Sequence, residues 1–536
     1  MKITIRIMFA FIALALLTAD DVSSQTLSPG PQVLTFFSDA DDTEQPYGLY
    51  LPKNYDPGKK YPLVIMLHGA GSNHRLALRR VFGKSNANDE TDVEASRYFP
   101  AWADVDYIVA SPYARGTAGY QGIPEKDVYD VLADVKKRFN IDEDRTYLTG
   151  LSMGGGGTLW LAMTRPDIWA AIAPVCPAPP QGTDELIGNS LNLPAYFFHG
   201  DKDQAVPVTV SREWVRKLKD QGSQAEYAEY PGIGHNSWEN AYRDEFIFDW
   251  FSKFKRNRFP DRVRFSTRRY EYNRAYWATI DKLTPGQLAT LDARFTAPNK
   301  LEITTSGLQA FTLDLKDHPR VSSGRETEVI IDGKKVRTAE GASVSFTMAN
   351  GKWAQGKYNP PAIAKKQGAE GPIEAAFASR HIYVYGTGGN PSEAELKARQ
   401  EIATKAADWS FYRGWFLGRI MFFPRVVADK DIRPSDLESA NLILFGTHET
   451  NSIIAKHKDR LPLQLKTTDD EHGLFYVFPV DGHYVAVSSG LPWWAGPQQQ
   501  NYRFPPSFAS VPGLKDYVLF TGNIRNIVAD GDFSEI

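Results

Sequence analysis

The sequence predicts an α/β domain built on a mostly parallel sheet with helices on both faces, followed by a β-rich domain and a second, smaller α/β domain. Three observations predict it. Between residues 25 and 258, short apolar runs alternate with stretches of helical spacing, as strands buried on both faces require. From residue 259 the texture changes to short segments of period-two alternation, which favours β structure. From about residue 372 apolar runs and a helical stretch return. The chain has 536 residues, room for about three domains at roughly 100–200 residues each. The expected units are 25–258, 259–371 and 372–536, the last without an assigned role.

The elements follow in order. Residues 61–67 (Tyr61, Pro62, Leu63, Val64, Ile65, Met66, Leu67) form a continuous apolar run ended by His68 and Gly69. Residues 107–112 are a second such run. Val128, Val131, Leu132, Val135 and Phe139 recur at helical spacing. Residues 145–150 read as a strand and 159–163 as part of a helix. Residues 169–174, 195–199 and 226–230 read as strands, and 210–221 and 246–254 as helices. In the β-rich part, 263–265, 270–272, 277–280, 301–303, 311–315 and 328–331 read as short strands. Asp332-Gly333 is a hairpin-turn dipeptide. Residues 351–371, rich in Lys, Gly and Pro, read as a loop or linker. Further on, 381–385, 441–445 and 517–520 read as strands, and Ser392 with Glu395 forms a capping box opening a helix over 393–409.

The first residues carry a secretory pattern. Lys2 and Arg6 give a positive start, and the apolar run 7–17 is short for a bilayer. Cleavage after Ser24 would leave Val22 and Ser24 at the recognition positions, making 1–24 a signal peptide; an uncleaved anchor is the alternative. No Cys follows the run to carry a lipid, and no later stretch is apolar enough for a transmembrane helix. The single cysteine, Cys176, rules out an intramolecular disulfide. Export without disulfides suits a bacterial periplasm or exterior. Cys176 reads as a small buried residue rather than a nucleophile. The formal net charge is −3, with no basic block, so neither nucleic acid nor an anionic membrane is an expected partner. Oligomeric state is not legible.

Chemistry gathers in the first unit. Gly150-Leu151-Ser152-Met153-Gly154 is a G-x-S-x-G element. Alone it is near chance level in a chain this long, but here it follows a predicted strand and precedes a helix, as a strained nucleophile turn requires. Small neighbours relieve the turn, and the helix N-terminus offers N–H groups to developing negative charge. The run Gly154, Gly155, Gly156, Gly157 exceeds what the turn needs and weakens a helix start. Asp203 follows the strand 195–199, and His235 lies later in a Gly-rich loop, giving the order Ser, Asp, His. His235 would take the proton of Ser152, and the acid would fix the imidazole. Asp201 is the rival acid. His68-Gly69-Ala70-Gly71 follows the first buried strand, and the amides of Ala70 and Met153 are the expected oxyanion donors. His68 itself reads as structural.

These residues resemble a family. The runs 61–71, 139–155 and 199–207, with Gly234-His235, look like the polyhydroxybutyrate depolymerase and feruloyl esterase-like branch of the α/β hydrolases, which borders prolyl oligopeptidase-type catalytic domains. The resemblance covers about residues 25–254. It implies the α/β-hydrolase fold, a triad at Ser152, Asp203 and His235, and no cofactor or metal. Secreted relatives often carry disulfides near the site, a departure this chain is bound to make. The expected activity is hydrolysis of a carboxylic ester, small or polysaccharide-linked, through an acyl-enzyme on Ser152. A serine peptidase and a non-catalytic binding protein on the same scaffold are the alternatives.

Elsewhere the motifs are weaker. Trp493 and Trp494 with Tyr502 and Phe504 could stack sugar rings but suit a core. Residues 386–390 before a helix could hold an anion but suit a plain turn. His448, His457, His472 and His483 are scattered and read as non-ligands.

Overall fold

The structure is a computed structural model that describes residues 27–322, 324–336, 343–361, 365, 370–409, 422–465, 471–496 and 505–533. The signal-peptide reading of 1–24, and Tyr502 and Phe504, lie outside the described residues.

The first sheet has eight strands: β1 (Gly30–Ser38), β2 (Thr43–Leu51), β3 (Tyr61–Leu67), β4 (Ile108–Pro112), β5 (Ile141–Leu151), β6 (Ala171–Val175), β7 (Ala195–Gly200) and β8 (Ala225–Tyr230). Their order is β1-β2-β4-β3-β5-β6-β7-β8. The pairs β1/β2 and β2/β4 are antiparallel, and β4 through β8 run parallel. Five helices matter to the site: α1 (His74–Val81), α2 (Ile123–Arg138), α3 (Met153–Thr164), α4 (Thr209–Asp220) and α5 (Phe246–Phe251).

Strand β3 shows why its run is apolar throughout. Leu63, Ile65 and Leu67 pack with Val128 and Val131 of α2 and Leu161 of α3. Val64 and Met66 pack on the other face with Leu78 and Val81 of α1 and Ile247 and Phe251 of α5. A strand covered on both faces has no polar side to present. Because β3 to β8 are parallel, the loops after them leave one edge of the sheet, where ligands of such folds bind.

Two five-stranded sheets follow and bury Val263, Phe265, Ile280, Leu291, Phe311 and Phe346 between them. Asp332-Gly333 is the expected turn: both residues have positive φ, 49° and 76°, and Ile331 pairs with Lys334. Two expectations are corrected here. Residues 270–272 form a single 3-10 turn (Tyr270–Tyr272), not a strand. The carboxylate of Glu370 takes the N–H groups of Tyr270 and Glu271, so these donors are withdrawn from any strand ladder. Within the expected linker, Lys352–Gln355 is a strand paired with Ser343–Ala349.

The last sheet has seven strands. Arg425–Ala428, His381–Tyr385, Asn441–Phe445 and His483–Gly490 are parallel neighbours, and His472–Val480, Tyr517–Thr521 and Ile527–Gly531 add antiparallel. The helix Glu393–Ala406 opens on the Ser392/Glu395 capping box but stops three residues before the expected end. Trp493 is fully buried and stacks on Phe475 at 4.4 Å, which makes it core. The 386–390 turn is filled by its own acid: Asp429 accepts the Thr387 amide at 3.0 Å. Among the described residues no helix is long and apolar enough to cross a membrane.

Candidate active site

Ser152 sits between β5 and α3 with φ 54° and ψ −115°, a conformation non-glycine residues hold only where the surroundings enforce it. Close packing enforces it here and accounts for the four glycines that follow. A Cβ on Gly154 would strike the carbonyl of Leu67; one on Gly155 would lie 2.5 Å from that of Val175; one on Gly156 would strike that of Ala178; and one on Gly157 would enter the Tyr120 ring. The start of α3 is therefore wedged among β3, β6 and two loops, at a spacing only glycine allows. Lost helix propensity, about 1 kcal/mol per glycine, is offset by this packing.

The loops after β5, β7 and β8 bring three predicted side chains together. Ser152 Oγ lies 2.9 Å from His235 Nε2, and His235 Nδ1 lies 2.7 Å from Asp203 Oδ2. The rival acid is elsewhere: Asp201 accepts the Gly232 amide at 2.7 Å. The Asp203 side chain is fully buried, and its other oxygen accepts the Ala205 and Val206 amides at 2.8 and 2.9 Å. Burial pushes its pKa up, but hydrogen bonds from His235, Val206 and Ala205 together hold it below the usual value. The carboxylate thus stays charged beside the imidazole.

A residue that sequence reasoning passed over completes this cluster. His199, at the end of β7, places Nε2 3.2 Å from Asp203 Oδ2 and 3.0 Å from the Val206 carbonyl, with Nδ1 2.7 Å from Ser211 Oγ. Burial lowers its pKa, so it stays neutral. It stands four residues before Asp203 in the same quoted run, which was the available signal.

The loop after β3 closes the other side. A Cβ on Gly69 would lie 3.5 Å from Ser152 Cβ, so the start of this loop packs beside Ser152. Ala70 is exposed at its crest, and Met153 is the first residue of α3, where N–H groups precede the first intrahelical bond. The loop hangs from residues 113–120: Thr117 Oγ1 accepts the Gly71 amide at 2.9 Å, Tyr120 OH donates to the His68 carbonyl at 3.0 Å, and His68 Nε2 lies 2.8 Å from the Tyr113 carbonyl. His68 is buried and its pKa lowered by that burial. It braces the loop rather than facing the site.

Cys176 is buried beside the cluster. Its thiol donates to the His235 carbonyl at 3.4 Å, and burial pushes its pKa up to about 12. Cys176, Asp203 and His235 are the one group of potential metal ligands within 4.8 Å of one another among the described residues. The thiol is held protonated, and His235 and Asp203 are hydrogen-bonded to each other.

Comparison with known proteins adds the family. Residues 38–250 match the family model described as "Putative esterase". This stretch is thus similar in sequence to the esterases and spans β2 to β8 of the eight-stranded sheet. The chain is 20% identical over 298 residues to dipeptidyl-peptidase 5 of Aspergillus fumigatus, covering 44% of this chain and 38% of that protein. It is 26% identical over 201 residues to "Probable feruloyl esterase C" of Aspergillus oryzae, covering 36% of this chain and 68% of that one. Among solved structures, a thermostable esterase aligns at 29% identity, covering 42% of this chain and 63% of that chain, with a TM-score of 0.34. The chain thus spans well under half the length of the dipeptidyl-peptidase it matches.

Proposed function

We propose that the protein is a serine hydrolase that cleaves carboxylic esters through an acyl-enzyme on Ser152. The observation that carries the reading is the pair of short contacts joining Ser152 Oγ, His235 and Asp203, at 2.9 and 2.7 Å. Ser152 attacks the ester carbonyl while His235 Nε2 takes its proton. Asp203 holds the imidazole with its proton on Nδ1 and stabilises the charged ring. The amides of Ala70 and Met153 receive the oxyanion. His235 returns the proton to the departing alcohol, and water repeats the sequence to free the acid. None of these steps needs a cofactor.

The esterase family match and the feruloyl esterase relative support an ester substrate, including an acyl group on a polysaccharide. The dipeptidyl-peptidase relative keeps peptide hydrolysis as the second reading. The test is Ser152→Ala assayed on p-nitrophenyl acetate, feruloyl and acetyl sugars and an aminoacyl anilide, with fluorophosphonate labelling of the wild type. Loss of hydrolysis in the variant and a label on Ser152 are expected. Full activity in the variant overturns the mechanism, and preference for the anilide overturns the ester assignment.

The reading includes export, supported by the charged start and short apolar run before residue 25. It also includes three units, 25–258, 259–371 and 372–536. Cell fractionation and limited proteolysis test these parts.

A further inference from the structure

The C-terminal sheet reaches the nucleophile's surroundings by a chain of contacts. The turn between β1 and β2 is gripped from the C-terminal side. Arg380 donates to Asp42 at 2.7 Å and to the Asp39 carbonyl at 3.0 Å, and the Phe423 amide donates to Asp41 at 3.0 Å. Ala40 of this turn and Ile123 of α2 are buried in the C-terminal core. Asp41 in turn holds Arg115. That guanidinium, 1% exposed, donates to Asp41, Asp127 and Ser38 at 2.6 Å each and lies over the Phe422 ring at 5.6 Å.

Arg115 belongs to the loop from which the 68–71 segment hangs. Ala114 and Arg115 both have positive φ, 45° and 60°. Two consecutive side-chain-bearing residues keep such angles only where contacts over-determine them. On its far side the loop borders a cavity of about 340 Å³ lined by Arg115, Gln121, Trp160, Tyr272, Trp409 and Phe508, among others. Released from its clasp, it has space to shift.

We propose that the C-terminal domain is a positioning clamp for the oxyanion loop, with Arg115 as the positioning residue and Thr117 as its point of contact with Gly71. The proposal rests on the serine-hydrolase reading. Its physical basis is that oxyanion donors work only when pre-set at the position the charge will occupy. A shift of a fraction of an ångström in residues 69–71 therefore weakens the transition state more than substrate binding.

The test uses the full chain. Thr117→Val removes the acceptor for Gly71 while keeping its volume, and Thr117→Ser restores the hydroxyl. Arg380→Ala opens the clasp at the surface, remote from Arg115, whose own removal would strand two buried carboxylates and risk misfolding. Kinetics on p-nitrophenyl acetate are read with thermal melts. Thr117→Val and Arg380→Ala are expected to lower kcat between about 10- and 100-fold, with KM within about twofold and the melting transition retained. Thr117→Ser is expected to recover most of the loss. Unchanged kcat in both folded variants, while the wild type hydrolyses ester and labels at Ser152, overturns the clamp alone. A wild type that neither hydrolyses nor labels overturns the hydrolase reading and the clamp with it.

Discussion

Replacing Asp203 with Asn tests the site at its most determined atom. The carboxylate has four neighbours with assigned geometry. Oδ1 accepts two backbone amides, from Ala205 and Val206, and Oδ2 faces the rings of His235 and His199. In Asp203→Asn the amide oxygen must stay toward the two N–H groups, because an NH₂ there would meet donors. The NH₂ is then aimed at His235 Nδ1. That nitrogen becomes an acceptor, which moves the imidazole proton to Nε2, 2.9 Å from Ser152 Oγ. A protonated Nε2 has no lone pair with which to activate the serine. The same NH₂ meets the proton on His199 Nε2, 3.2 Å from that position, so His199 loses one acceptor and keeps only the Val206 carbonyl at 3.0 Å. The expected loss is about 10⁴ in kcat, or ~5.5 kcal/mol of transition-state stabilisation, with KM little changed. The assay is kcat on p-nitrophenyl acetate with the folded fraction fixed by circular dichroism, and Asp201→Asn as companion. Retention of more than about a tenth of the activity by folded Asp203→Asn, or an equal loss in Asp201→Asn, refutes the assignment.

Two further outcomes are expected. Gly156→Ala drives a methyl group into the Ala178 carbonyl; with backbone on both sides the cost should exceed the ~1–3 kcal/mol typical of overpacking, read as a lower urea midpoint or failure to fold, and an unchanged midpoint would show that α3 can move. Glu125 is buried, accepts hydrogen bonds from Trp160 and Tyr272 at 2.7 and 2.8 Å, and has its pKa pushed up to about 8, first by burial and then by Glu271. The unfolded chain gives up that proton near the ordinary value of 4.5, so between pH 4.5 and 8 the folded state binds more protons and stability falls as pH rises. Glu125→Gln should flatten that fall in urea titrations at pH 5 and pH 8, and parallel slopes for the two proteins would count against a protonated Glu125.

What was legible in the sequence follows from burial. The parallel strands announced themselves because β3 to β7 are covered on both faces, and a run such as 61–67 admits no other reading. The hairpin β1/β2 did not, since most of β1 is half-exposed and Phe37 is 60% exposed, leaving no clean period. Turn chemistry was the missed signal further on. Asp481-Gly482, with positive φ at both residues, joins Val480 to His483 as Asp332-Gly333 joins its own strands. Asn350-Gly351 does the same at the edge of the expected linker. Ser152, Asp203 and His235 were readable because each stands in a short motif. Arg115, Thr117 and Tyr120 were not, because their task is set by neighbours far away in the chain.

The grip of Arg380 and Phe423 on the first hairpin joins residues 338 to 382 positions apart. Synthesis at about 5–20 residues per second delivers the turn roughly 20 to 70 s before its partners exist. The eight-stranded sheet can pair in that interval, so its first hairpin waits as an open end. The contact is made only after every strand of that sheet has been synthesised, and a chain ending before residue 380 lacks it while keeping all eight strands.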